Sequence, residues 1–363
     1  MKKSVLAMLM AVTFFGCAAT EKRLETVYYP PLPQKPRLQF LHSITTEEDL
    51  GKKSGGLEEF LFGKQPSRKR IERPFDIGAS KGKIYILDAA FKKILIVNLE
   101  KKEIESLQDT GAGALIEPMG IWVTEDDIKY VADKGRKQIV VFGADNKFLK
   151  AYGEKEQFAV PLDVAAYKDR IYVCDRDKHS IEVVDKNTGK IILTIGGPGS
   201  EVGKLYKPTH VTVDHEGNVY VNDNFNYRVQ KFSPDGAYVK HFGSQGDLLG
   251  TFARPKGIAV DKEGHLYVAD AAFENVQVFD EKTTEFLAFF GGYGDKPGEM
   301  YLPSPVYVDL YNAGYFDKYV DKNFKVKYLV YVGNMAGLKK MNVYGYGDWI
   351  GEPLPEIEIK KTK

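Results

Sequence analysis

Cysteine is almost missing: the chain has two in 363 residues, Cys17 and Cys174. A fold held by a disulfide framework is therefore excluded. An excess of one charge is also missing, since 51 basic residues face 50 acidic ones for a net charge of +1. Nothing in bulk charge points to nucleic acid or a strongly acidic partner. No apolar run is long enough to cross a bilayer as a helix, which takes about 20 residues. Neither a C-x-x-C-H haem attachment site nor a G-x-x-x-x-G-K-S/T phosphate loop occurs. Apolar residues make up 43% and aromatics 12% of the chain, while long polar helical faces are scarce. That balance favours strands over helices.

The N-terminus carries Lys2 and Lys3, then an apolar run from Val5 to Gly16, just before Cys17. This reads as a signal peptide over residues 1–16, to be set aside from the fold. Gly16-Cys17 resembles the lipobox of bacterial lipoproteins, in which the cysteine is lipidated and becomes the new N-terminus. Phe14 departs from the leucine usual three residues before that cysteine, and an ordinary secretory signal cleaved nearby is the alternative. Several acyl chains on Cys17 would anchor the protein stably, because a single chain binds membranes only marginally. Residues 17–36 end in YYPPLPQKP, whose prolines predict an extended spacer that holds the body away from the membrane.

Self-similarity dominates the remainder. The stretches RPFDIGASKGKIYILD, EPMGIWVTEDDIKYVAD, VPLDVAAYKDRIYVCD, KPTHVTVDHEGNVYVND and RPKGIAVDKEGHLYVAD are followed by LPSPVYVD, which resumes at YLVYVGN. Their prolines, Pro74, Pro118, Pro161, Pro208, Pro255 and Pro303, are spaced 44, 43, 47, 47 and 48 residues apart. Proline cannot donate to a sheet ladder and suits the entry to a strand. A β-rich run, a polar turn and a second run ending in Asp88, Asp133, Asp175, Asp223, Asp270 or Asn334 predict a hairpin in each unit. Third runs begin at Ile94, Ile139, Ile181, Val229, Val276 and Met341, and fourth runs end near Gly153, Gly196, Gly243 and Gly291. Six units of four strands predict an all-β, six-bladed β-propeller of antiparallel blades.

The sixth unit lacks its fourth strand. RLQFLHSIT, residues 37–45, fits that pattern and is expected to add to the sixth blade and close the ring, removing an open sheet edge. The organisation is then a closing strand at 37–45, a loop at 46–73, blades over 74–346 and a C-terminal tail at 347–363. The pattern from Pro255 to Asp280, PKGIAVDKEGHLYVAD followed by VQVFD, resembles the NHL repeat family of six-bladed propellers. Together with the lipobox and the proline-rich segment, the chain is similar to bacterial NHL-type lipoproteins, a resemblance that implies fold and location better than chemistry.

Ligands of propellers usually sit at the channel or on the loops of one face. Two residues past each proline stand Asp76, Gly120, Asp163, His210, Gly257 and Pro305. Asp76, Asp163 and His210 form a candidate site for a divalent metal, since imidazole and carboxylate suit such ions. The alternative is a polar channel that holds only water, with no cofactor. The resemblance also brings in the peptidyl-hydroxyglycine lyases, which hold zinc through channel histidines. Of six histidines only His210 has such a position, whereas a catalytic zinc normally keeps three protein ligands. Cys174 is expected to pack as a small apolar residue. The repeated acids suit a structural role, accepting loop N–H groups or pairing with nearby cations.

Two segments break the repeat. An insertion in the sixth unit, LYNAGYFDKYVDKNFKVK, brings Tyr311, Tyr315, Phe316, Tyr319 and Phe324 to one loop, either as a partner-binding surface or packed on the blade. Before the first blade, LEEFLF suggests a short amphipathic helix, and Lys64, Arg68, Lys69, Arg70 and Arg73 form a basic cluster suited to solvent, anionic lipid or a protein. The expectation is a non-enzymatic binding scaffold for a protein or envelope polymer, anchored outside the cytoplasm to a bacterial membrane, at the outer membrane or cell surface rather than the inner membrane. No nucleic-acid partner is expected. The alternative is a metal-dependent lyase or hydrolase at the channel mouth.

Overall fold

Each predicted hairpin forms in the register that its turn sets. In the computed structural model, which describes residues 26–52, 69–154 and 156–355, six antiparallel sheets surround a central channel. Their inner strands are Pro74–Ser80, Pro118–Val123, Pro161–Tyr167, His210–Val213, Pro255–Val260 and Pro303–Asp309. Each touches the inner strands of both neighbouring blades, so the ring is closed.

The second strands, such as Lys83–Asp88, Arg170–Asp175 and His265–Asp270, are buried at nearly every position. They lie between neighbouring blades and have two covered faces, which is why they read as apolar runs and not as alternating patterns. Outer strands such as Tyr238–Phe242 alternate between buried and open, as expected of a sheet covered on one side. A tyrosine three residues before the terminal acid or Asn334 is buried in every blade. The hydroxyl of Tyr85 donates to Asp127 at 2.7 Å and that of Tyr331 to Asp309 at 2.6 Å, which satisfies a polar tip inside the core.

The terminal acids have the predicted structural role. Asp133 accepts the backbone N–H groups of Ile116 and Glu117, at 2.7 and 3.0 Å, and that of Arg136 at 3.0 Å. Asp88 binds those of Glu72 and Arg73, Asp175 those of Ala159 and Val160, and Asp270 those of Ala253 and Arg254. In each of these blades the amides belong to the pair of residues just before the entry proline, so one carboxylate holds the entry loop onto the second strand. Among the described residues, the predicted pairing of these acids with nearby cations is confined to Asp223, whose partner Arg228 lies at 2.9 Å. Arg136 donates instead to the carbonyls of Ala112 and Ala114, and Lys178 to that of Gln157.

Ring closure follows the expectation. Leu38–Ile44 pairs antiparallel with Met341–Trp349, from Leu38 opposite Tyr346 to Ile44 opposite Met341. Leu38, Leu41 and Ile44 are buried there. Two boundaries differ. The proline-rich segment does not run out as an extended spacer: Tyr28–Tyr29 forms a fifth strand on this blade, and the chain reverses through bonds from Gln34 to Pro31 and from Arg37 to Tyr29. The cause is aromatic, since Tyr28 packs on Phe324 and Trp349 and Tyr29 on Phe290 and Tyr344. At the other end the last strand continues past residue 346 to Trp349, pairing with Phe324. The predicted signal peptide, Cys17 and LEEFLF lie outside the described residues, as do Lys64 and Arg68. Among the described residues no helix is long and apolar enough to cross a membrane.

Removal of residues 26–45 is expected to lower the melting temperature by about 10 °C or more, because three buried aliphatic side chains are lost and a blade edge opens. Asp133→Ala leaves three amides unsatisfied and is expected to destabilise the protein by about 2–4 kcal/mol in denaturant titration.

Candidate functional site

Four of the six entry positions of the inner strands face the channel cavity. Asp76, Asp163, His210 and Gly257 line one cavity of about 120 Å³ whose walls continue through Ile121, Val213 and other apolar residues of the inner strands. The three predicted ligands thus share a cavity, and each carboxylate oxygen of the two aspartates accepts a backbone N–H. Asp76 accepts the N–H of Ile77 on one oxygen at 2.8 Å and that of Ile121, in the next blade, on the other at 2.6 Å. Asp163 repeats this with Val164 at 2.8 Å and with Val211 of the next blade at 2.9 Å. Each carboxylate is a bridge between neighbouring blades.

The glycines among these positions have a reason of their own. A Cβ on Gly120 would lie 2.5 Å from Asp163 Oδ1, and one on Gly257 would lie 2.5 Å from the carbonyl oxygen of Ser304. Both positions require the backbone of the next blade to come close, which a side chain forbids.

His210 is buried, its Nδ1 lying 3.1 Å from Thr209 Oγ1. Its ring faces that of Phe75, from the blade across the channel, with centroids 6.5 Å apart and planes 23° from parallel. Burial, followed by the charge of Lys256, pushes its pKa down to about 3, so the ring stays neutral at physiological pH. Among the described residues no three His, Cys, Asp or Glu side chains are grouped to hold a metal ion. The residues proposed as ligands therefore do not converge on one point.

Burial raises the Asp76 carboxyl to about 7 and holds that of Asp163 well above the ordinary carboxylate range, the Asp76 charge adding to the second shift. The folded state therefore holds protons that the unfolded chain releases near pH 4. The stabilisation is full below that pH and is lost as pH rises through about 7.

The sixth-blade insertion is largely absorbed into the body. Residues Ala313–Tyr319 form a 3-10 helix, Phe316 and Phe324 are buried, and Tyr319 stacks on His42 at 4.3 Å. Buried Asn312, not singled out by the sequence, accepts the N–H of Gly82 and donates to the carbonyl of Ser80, which ties the insertion to the first blade. Tyr311 and Tyr315 remain exposed, Tyr315 donating to Glu100 at 2.9 Å. Of the basic cluster, Lys69 lies 3.8 Å from Glu47 and Arg70 2.6 Å from Glu72. Cys174 is buried within an apolar cluster, as expected.

Two further features lie outside the channel. Residues 78–82, Gly-Ala-Ser-Lys-Gly, match the G-x-S-x-G spacing of hydrolase nucleophiles. However, buried Ser80 sits at a β-hairpin, not at a strand-to-helix turn. A wider cavity of about 1090 Å³ lies at the rim of the first two blades, between Leu95, Leu107 and Phe148, with Arg70, Lys93, Lys147 and Asp145 also on its walls.

Asp76→Asn is expected to reduce the fall in unfolding free energy between pH 4 and 7, measured by denaturant titration at several pH values. An unchanged pH profile would show that Asp76 does not hold the proton.

A family model described as the NHL repeat matches residues 252–279. A probable peptidyl-alpha-hydroxyglycine alpha-amidating lyase of Caenorhabditis elegans is 29% identical over 105 residues, 28% of this chain and 30% of that protein. The chain thus spans less than a third of the length of this relative. Among solved structures, a structural genomics protein of Bacteroides thetaiotaomicron superposes with a TM-score of 0.57 at 15% identity, covering 85% of this chain and 75% of that one. A streptogramin B lyase gives 0.55 at 12% identity, covering 78% and 96%. A gluconolactonase of Xanthomonas campestris gives 0.54 at 16% identity, covering 88% and 97%. At such identities these likenesses concern the fold alone. The chain is a six-bladed β-propeller with an NHL repeat in its fifth blade.

Proposed function

We propose that this propeller is a non-enzymatic binding scaffold, anchored through Cys17 on the extracytoplasmic side of a bacterial membrane, for a protein or envelope polymer. One observation carries the reading: all four carboxylate oxygens of Asp76 and Asp163 accept backbone N–H groups of their own and the next blade. Groups engaged in this way hold the ring together, each oxygen serving one backbone donor. The cavity they line, about 120 Å³, is below the roughly 300–1,000 Å³ typical of small-molecule sites. Binding then belongs to the loops and faces outside the channel, where a rigid ring presents side chains without having to move.

A metal-dependent lyase or hydrolase at Asp76, Asp163 and His210 is the second reading, favoured by the 105-residue similarity to a lyase. Extraction of the full chain from membranes in mild detergent is expected to recover a stoichiometric partner, and His210→Ala is expected to leave that recovery unchanged. Repeated isolation of the bare protein, with a full equivalent of metal that His210→Ala abolishes, would overturn the scaffold reading in favour of the lyase.

A further inference from the structure

The strand order decides which loops share a face. Because the strands of a blade are antiparallel and run outward from the channel, the turn after the second strand and the loop after the fourth both lie at the end where the inner strand begins. Residues 243–254, 292–302 and 335–340 therefore crowd one face around the fifth and sixth blades. This face carries Leu338, Leu248 and Tyr293, which are 79%, 71% and 70% exposed, with Leu249 beside them at 52%. No other large apolar residues among those described are as exposed as the first three.

Their exposure is built into the fold and is not fraying. The loop of Leu248 and Leu249 is closed by the bridge between Gln245 and Phe252 and by the Thr251 hydroxyl, which donates to the Leu248 carbonyl at 2.6 Å. The Tyr293 loop is closed by a bridge to Met300, and the Tyr293 ring meets that of Tyr301 at 4.8 Å. A Cβ on Gly337 would lie 2.5 Å from the Tyr301 ring, so the turn bearing Leu338 rests against the same tyrosine. Lys296, Lys339 and Lys340 stand in these same loops, with Asp247, Asp295 and Glu299 among them, so the face is mixed in charge.

We propose that this face rests on a lipid bilayer. Exposed leucines at loop tips and a tyrosine beside them suit hydrocarbon and headgroup in turn. The start of the described chain points to the same occupant: the Tyr29 hydroxyl donates to the carbonyl of Gly298, in the Tyr293 loop, at 3.0 Å. Chain arriving at Thr26 thus reaches the body beside this face. From Cys17 to Thr26 is nine residue steps, which span at most about 30 Å. The inference rests on the lipidation of Cys17, which would hold the face within that distance of the membrane.

The test uses the full chain on phosphatidylethanolamine–phosphatidylglycerol vesicles, with mass spectrometry of the N-terminal peptide to establish acylation and hydrogen exchange to read the loops. Amides of 246–250, 293–299 and 336–339 are expected to exchange about tenfold more slowly on vesicles than in detergent, the effect of about 1.4 kcal/mol of docking. The combined variant Leu248→Ser, Leu249→Ser, Tyr293→Ser and Leu338→Ser should lose this protection while sedimenting with the vesicles and keeping its melting temperature. An acylated chain whose loops exchange equally in both settings would overturn the docking and leave the anchor intact. Protection that appears only when another envelope protein is added would overturn it in favour of a protein partner. If Cys17 carries no acyl chain, the anchor reading fails, and absence of loop protection at high vesicle concentration then overturns the docking as well.

Discussion

A buried carboxylate that accepts backbone N–H groups is the interaction on which this ring depends. At the end of the second strand it holds the entry loop of its own blade, as Asp88, Asp133, Asp175 and Asp270 do. At the start of the first strand it reaches the neighbouring blade, as Asp76 and Asp163 do. Burial makes the loss of any such bond costly, because the amides it serves would be left without a partner. An inner strand fixed at its entrance fixes the channel behind it and the face in front of it. The same device gives each channel carboxylate a structural partner in the next blade.

Closure imposes a second constraint. Blade six is assembled from both ends of the described chain, with Leu38–Ile44 beside Met341–Trp349, so the ring is complete only when residues some 300 positions apart in sequence meet. Aromatic contacts of Tyr28 and Tyr29 then draw the preceding segment onto the same blade. Asn312 and the buried Phe316 act in a similar way, joining the sixth-blade insertion to the first blade. The join of the ring is thus reinforced by residues that lie outside the repeat.

Much of the fold was legible because it is written locally and repeatedly. A proline at strand entry, a polar turn and a terminal acid recur about every 45 residues, and each has its own physical reason for being where it is. The channel positions could be counted off from the same prolines. Their chemistry could not, because nothing near Asp76 in sequence reveals that Ile121 will donate to it. The proline-rich segment misled for a related reason: proline content predicts an extended chain, but Tyr28 and Tyr29 find aromatic partners more than 260 residues away that outweigh it.

The sequence by itself determined the number of blades, their entry points, the structural acids and the strand that closes the ring, since these follow from short patterns repeated in register. Only the tertiary structure decided that the channel carboxylates are engaged by the next blade, that Phe316 and Phe324 are buried, and that Leu248, Tyr293 and Leu338 share a face. Each of these depends on which distant segments the ring brings together. The pattern within one unit specifies a blade, but the neighbours of that blade determine what its polar and apolar side chains are free to do.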